Sequence, residues 1–232
     1  MGKDMYLSGE YFEKHPSWGV EDSAWKADNI IRTLNRNGIQ PRTICEVGCG
    51  AGEILYQLQQ KMGQASEFYG YEISPQAFEL CQKRANDKLH FKLQDILEEE
   101  GVFFDLILLM DVIEHVEDYF GFLRGIKQKS TYKLFHIPLN LTVEAIVRPK
   151  ALSKIRQICG HVHYFTKDLA LQALKELEYG VIEHFYTNAC SELPARSKKA
   201  YFAKLPRSFF FTINKDWAVR FFGGRSLMVL TR

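Results

Sequence analysis

Nothing in the 232 residues approaches the roughly 18 uninterrupted apolar residues of a membrane span. The opening residues, Met1-Gly2-Lys3-Asp4-Met5-Tyr6, lack an apolar signal core and the Ser or Thr of a myristoylation site, so a cytoplasmic protein is expected. Cysteine is sparse and scattered: Cys45, Cys49, Cys81, Cys159 and Cys190 make an odd set. The one close pair, Cys45 and Cys49, has no second pair to complete a zinc site, and reduced thiols are expected instead. An excess of one charge is missing too. Thirty Lys/Arg against 28 Asp/Glu leave +2 with no long basic block, so nothing demands a nucleic-acid partner, although a local patch could still exist. With 46% hydrophobic and 25% charged residues the chain is neither disordered nor fibrous, and its length suits a single domain over 1–232.

One stretch stands apart from this ordinary background: residues 43–55, Thr-Ile-Cys-Glu-Val-Gly-Cys-Gly-Ala-Gly-Glu-Ile-Leu. Thr43–Val47 is a short β-branched run, Gly48, Gly50 and Gly52 form a G-x-G-x-G turn, and Glu53 onward favours helix. Such glycines let a ligand approach the backbone, and the helix start behind them aims unpaired N–H groups at it. A dinucleotide fingerprint would place its third glycine at 53, where Glu stands. Glu46 beside the turn would repel a pyrophosphate but suits a cationic ligand.

Glu46-Val47-Gly48-Cys49-Gly50-Ala51-Gly52 resembles the first motif of the class I S-adenosylmethionine-dependent methyltransferases, of the Rossmann-like, small-molecule type. The resemblance implies an α/β fold: a seven-stranded, doubly wound, mostly parallel sheet with an antiparallel last strand, helices on both faces, and helical insertions. It implies S-adenosylmethionine as cofactor, held at this turn by Glu46, Gly48, Cys49, Gly50 and Gly52. Further strand ends fit in order. Phe68–Ile73 reads as the second strand, with Glu72 twenty residues beyond Gly52, where a carboxylate offers two acceptors to the two ribose hydroxyls, and Ile73 beside it. After a third strand, His90–Gln94, the resemblance gives Asp95 to the adenine amino group and Ile96 to the ring face. Phe103–Met110 is a buried central strand ending in Asp111-Val112-Ile113-Glu114-His115-Val116, which resembles the fourth-strand motif of a large subset. There Met110 and Asp111 would border the cofactor and the acid-histidine pair the active-site floor.

The flanks are less specific. Asp22-Ser23 is expected to cap a helix from Ala24 to Arg36 whose stripe of Trp25, Ile30, Ile31 and Leu34 reads as core. By resemblance the segment before the first strand covers the cofactor's methionine end, which singles out Trp18, Trp25 and Lys26. A helix at Tyr119–Lys129, a strand at Tyr132–Pro138, a helix at 168–178 capped by Thr166, and last strands at Val181–Thr187 and Ser226–Thr231, antiparallel at the sheet edge, complete the pattern. Residues 1–40 form an N-terminal cap and helix. Residues 139–160, with Arg148, Lys150, Lys154 and Arg156, and residues 194–224, with Phe209-Phe210-Phe211, Trp217 and Phe221-Phe222, read as insertions that lid an acceptor. The second must also pack on the body of the fold, a partner chain or an apolar acceptor.

Methyl transfer is an in-line displacement that needs an aligned acceptor and, for a hydroxyl, a base. His115, His161 and His163 are the candidates, with Asp111 and Glu114 nearby; alternation places His161 and His163 on one side of an extended stretch. No Asn/Asp-Pro-Pro-aromatic motif follows the fourth strand, which disfavours exocyclic base and amide nitrogens, and the default acceptor is a hydroxyl of a small molecule, sugar or lipid precursor. Asp111-x-x-Glu114-His115 with a later histidine also resembles the divalent-metal set of RNA 2′-hydroxyl methyltransferases, though no metal is assigned here. An oxidoreductase and a silent binding protein on the same scaffold remain open, as does a homodimer.

Overall fold

A computed structural model describes residues 2–63, 66–188, 192 and 210–232. Seven strands form one sheet: β1 (Thr43–Val47), β2 (Glu67–Glu72), β3 (Leu89–Leu93), β4 (Phe104–Met110), β5 (Ser130–Pro138), β6 (Val181–Thr187) and β7 (Ser226–Thr231). Their order is β3-β2-β1-β4-β5-β7-β6. Strands β1 to β5 pair in parallel, and β7 runs antiparallel to both its neighbours. The antiparallel last strand is as expected, and the last two strands lie together at the sheet edge, β6 outermost and β7 inside it. Strand β7 slots between β5 and β6 because Leu227-Met228-Val229-Leu230 is apolar on both faces and fully buried, whereas β6 exposes Val181 and Ile182 and alternates in polar residues.

The helices are α1 (Gly2–Leu7), α2 (Glu10–Lys14), α3 (Ser23–Arg36), α4 (Glu53–Met62), α5 (Pro75–Gln82), α6 (Tyr119–Lys127), α7 (Val143–Val147), α8 (Ala151–Cys159), α9 (Lys167–Glu176) and α10 (Lys215–Phe222). Period-two alternation in β4 divides the core between the two sheet faces. Leu106 and Leu108 pack with Ile30 and Leu34 of α3 and Leu55 and Leu58 of α4. Ile107 and Leu109 pack with Leu123 and Ile126 of α6 and Leu174 of α9. Asp105, the polar interruption in that strand, accepts from the backbone N–H groups of Arg42 and Thr43 and so ties β4 to the start of β1.

Several boundaries move by a residue or two: β4 starts at Phe104 because Phe103 is exposed, β5 starts earlier at Ser130, and α6 stops at Lys127. Asp22 makes no capping bond to α3; its carboxylate pairs instead with Lys26 at 3.3 Å. Thr166 does cap α9, accepting from Leu169 N–H. Cys45, Cys49, Cys81 and Cys159 are free thiols. Cys190 and the stretch 193–209, including Phe209, lie outside the described residues. No described helix is long and apolar enough to cross a membrane.

Because β1 pairs with β2 on one side and β4 on the other, the winding reverses between β1 and β4, and a crevice opens at their carboxyl ends.

Candidate active site

The crevice is a cavity of about 800 Å³. Glu46, Gly48, Cys49, Gly50, Glu72, Ile73, Asp95, Ile96, Met110 and Asp111 all line it; Gly52 does not. Gly52 serves the packing behind the turn instead. It has φ 74°, and a Cβ there would stand 2.6 Å from the Phe91 ring and 2.9 Å from Cys81 Cβ, so α4 can approach β3 only over a glycine. The turn is fixed by Gly48 N–H and Cys49 N–H, which both donate to Tyr71 O at 2.8 and 3.1 Å.

Glu72 is committed to this backbone. Its Oε2 accepts from Gly50 N–H at 2.8 Å, and its Oε1 accepts from Ile73 N–H and Ser74 N–H, each at 2.8 Å. A carboxylate has about four acceptor positions, so three are taken, and the two expected for a ribose diol reduce to one on Oε2. Glu46 is buried, and its Oε2 has no hydrogen-bond partner among the described residues. Burial pushes its carboxyl well up, with Lys26 acting against that. Asp95 caps a short turn, accepting from Leu97 N–H at 3.0 Å.

Past β4 the chain turns sharply at Asp111, φ 57°, a left-handed conformation uncommon for a non-glycine residue. Asp111 Oδ1 lies 2.6 Å from His136 Nδ1 and Oδ2 lies 2.8 Å from Lys26 Nζ. Burial would raise the Asp111 carboxyl, but His136 and Lys26 outweigh it and hold the group well below the usual carboxylate range. His136 Nε2 reaches Thr187 Oγ1 at 2.9 Å, so the chain of contacts runs from α3 through β4 and β5 to β6.

Asp111 is thereby drawn away from the ligand set in which the sequence pattern placed it. A different trio is brought together: Glu114, His115 and His161 each offer a ligand atom within 4.8 Å of the others, a spacing that could hold a metal ion. Glu114 is fully buried and neither carboxylate oxygen has a hydrogen-bond partner among the described residues. Burial, then the charge of Asp111, push it well up. His115 Nδ1 is hydrogen-bonded to the Tyr6 hydroxyl at 2.8 Å, and its Nε2 is 3.8 Å from Glu114 Oε1. Burial lowers the His115 pKa; it lowers that of His161 to about 4, helped by neighbouring His115. His161 Nδ1 is held by the Asn140 side-chain amide at 2.9 Å.

His163 does not join them. Val162 N–H and His163 N–H both donate to Glu114 O, at 2.8 and 3.0 Å, and this shared acceptor breaks the extended alternation that would have put His161 and His163 on one side. The His163 ring stacks edge-on against Tyr119, with Nε2 on Glu117 O at 3.0 Å, and lies outside the cavity wall.

The N-terminal residues roof the cavity. Tyr6, Tyr11 and Trp18 stack in series with centroids 4.8 Å apart between Tyr6 and Tyr11 and again between Tyr11 and Trp18. Trp18 rests over Gly50, its Cε3 3.5 Å from where a Cβ would be. Trp25, expected in the core, lines the cavity instead, its indole N–H donating to Glu192 at 2.7 Å, and Lys26 lines it as well. Tyr6, Tyr11 and His136 carry no motif. The only trace of His136 in the sequence is its place near the carboxyl end of a strand that finishes at the crevice.

The fold and cavity define an α/β protein with a nucleotide-cofactor crevice at a strand-order reversal. A family model described as a methyltransferase domain matches residues 41–193, so the chain belongs to that family. Solved structures of low identity share the fold. A methyltransferase of Haloferax volcanii, solved in complex with the Trm112 activator, superposes with TM-score 0.67 at 15% identity, over 100% of this chain and 96% of its own. The magnesium protoporphyrin IX methyltransferase of Synechocystis PCC 6803, solved with bound S-adenosylhomocysteine, gives 0.58 at 16%, over 90% and 83%. The N-methyltransferase NodS of Bradyrhizobium japonicum WM9 gives 0.56 at 15%, over 89% and 85%. No curated protein matches the sequence. The fold is that of the class I S-adenosylmethionine-dependent methyltransferases, and family and fold both agree with S-adenosylmethionine as the cofactor.

Proposed function

We propose that this methyltransferase acts on a hydroxyl of a small molecule, sugar or lipid precursor, with His115 as the base. The residues present fit S-adenosylmethionine: a turn whose Gly48 and Gly50 present bare backbone to the crevice, and a buried Glu46 oxygen that lacks a hydrogen-bond partner among the described residues. Glu46, Gly48, Cys49, Gly50, Glu72, Ile73, Asp95, Ile96, Met110 and Asp111 would hold the cofactor, which supplies an electrophilic methyl group when bound. The observation that carries the acid-base role is the buried imidazole of His115, bonded to Tyr6 in the same cavity as the turn, whose pKa burial lowers.

In the tautomer whose Nδ1–H donates to the Tyr6 oxygen, His115 Nε2 keeps its lone pair and takes the acceptor's proton. The imidazolium formed then faces Glu114, whose carboxyl loses its proton more easily beside a new positive charge. Lys26 closes the wall by tying α3 to the end of β4, and the aromatic roof excludes water. In the same reading residues 1–232 form one domain, and residues 139–160 lid the acceptor.

The first test is calorimetric titration with S-adenosylhomocysteine, followed by an acceptor screen. His115→Gln is expected to leave that binding within a few-fold and to lower kcat by about 10²–10⁴. Equal turnover by the variant would remove His115 from the reaction. The grouping of Glu114, His115 and His161 favours one second reading, a metal-assisted transfer. Activity that is abolished by chelation and restored by magnesium or manganese would decide for it.

A further inference from the structure

Of helices α7, α8 and α10 only Cys159 lines the cavity, and the rest form a separate surface. Helix α10 packs on α7 and α7 on α8. Outer positions of α7, of α10 and of the helical turn just before α10 are apolar to an extent unusual for a protein surface: Ile146 is 66% exposed, Val147 73%, Ile213 67% and Trp217 61%. Trp217 stacks on Phe221 at 5.6 Å, and Phe221 is itself exposed.

Around these residues the charge is one-sided. Residues 143–160 and 210–222 carry six Lys/Arg and two Asp/Glu, a balance of +4 in a chain whose total is +2, so the remainder is net −2. Lys150, Lys154 and Arg156 are exposed, and none forms an ion pair among the described residues.

Two short helices offering isolated apolar side chains, a tryptophan among them, inside a basic rim match the chemistry of an interfacial membrane contact. We propose that this face docks the protein on an anionic lipid surface, with Ile146, Val147, Ile213 and Trp217 entering the headgroup region and Lys150, Lys154 and Arg156 pairing with lipid phosphates. Charge decides against a second copy as the occupant, because an isologous dimer would bring two basic rims together. An anionic leaflet attracts them at about 1 kcal/mol per basic residue. The surface adjoins the cavity, since α8 ends at Cys159 and both Cys159 and His161 are in its wall.

The proposal goes beyond methyl transfer and is tested without donor or acceptor. The full chain is sedimented with vesicles of phosphatidylglycerol and, separately, of phosphatidylcholine, and compared with Val147→Ser/Trp217→Ser and Lys150→Glu/Lys154→Glu. Circular dichroism melting confirms that each exposed-residue variant is folded. The expected result is binding to phosphatidylglycerol alone, weakened on the order of tenfold by either double substitution and by raised salt. Failure to bind phosphatidylglycerol, or binding that both variants retain, overturns it. So does a dimer in analytical ultracentrifugation that the Val147→Ser/Trp217→Ser variant dissociates, which would make the face a contact between copies.

Discussion

Glu72 Oε2 accepts a hydrogen bond from Gly50 N–H at 2.8 Å, so the carboxylate at the end of β2 holds the turn after β1. Together with the bonds from Ile73 and Ser74 it organises the cradle before any ligand arrives. Glu72→Ala strands three N–H groups in a buried place, at about 1–3 kcal/mol for each one that finds no other acceptor. The expected outcome is a lower urea midpoint together with S-adenosylhomocysteine affinity reduced more than about tenfold. Glu72→Gln, which keeps one acceptor oxygen, should fall between. Unchanged stability in the alanine variant would show that the turn holds itself.

Gly52→Ala and Gly50→Ala separate packing from ligand contact. At Gly52 the new methyl meets Phe91 at 2.6 Å and Cys81 at 2.9 Å in addition to the left-handed strain, whereas at Gly50 the nearest atom is Trp18 Cε3 at 3.5 Å. Gly52→Ala should cost more stability, on the order of 2–4 kcal/mol, against about 1 kcal/mol for Gly50→Ala. Chemical denaturation measures both. A larger loss at Gly50 would contradict the assignment of Gly52 to packing.

Lys26 lies between Asp22 and Asp111, almost wholly buried. Removing the cation in Lys26→Met leaves Asp111 with His136 as its only ion-pair partner among the described residues, at a cost of about 3–5 kcal/mol. The sign of the pH effect follows from the depressed Asp111 carboxyl. Its folded-state pKa lies below the unfolded one, so its contribution is complete above the unfolded value of about 3.9 and is lost as pH falls through the folded value. The stability gap between wild type and Lys26→Met should therefore be flat near neutrality and shrink in acid below about pH 4. A gap that widens in acid would exclude the ion pair as its source.

His161 works in the same direction at a higher pH. Burial holds its folded pKa at about 4 against an unfolded value of about 6.5. Between these values the unfolded chain takes up a proton that the folded chain refuses, so stability falls as pH drops through that window, with a limiting slope of about one proton. His161→Asn should remove this slope while leaving the profile above pH 7 parallel. Identical slopes from pH 6.5 to 4 in the two proteins would show that His161 titrates normally.

Much of the scaffold is written locally. The run of β4 is apolar without interruption except at Asp105, the β1 turn has glycine where backbone sterics demand it, and the strand-end acids Glu46, Glu72 and Asp95 recur at the spacing of one winding unit. All three line the cavity. Local patterns reveal these because strand, turn and helix-start geometry depend on residues within a few positions of one another. The position of β7 was less legible. An antiparallel strand at the chain's end can pair at an edge or be inserted, and only the burial of both its faces settles the choice.

The site divides the same way. From its sequence this protein has a cofactor cradle, an acid-histidine pair after β4 and the methyltransferase pattern that joins them. Which histidine faces the cavity, the pairing of Asp111 with Lys26 and His136, and the Tyr6 contact with His115, 109 positions away in sequence, were decided by tertiary structure alone. Hydrogen bonds and ion pairs of that kind depend on where distant elements pack, and no pattern within one element encodes the direction in which a side chain turns once another element arrives beside it.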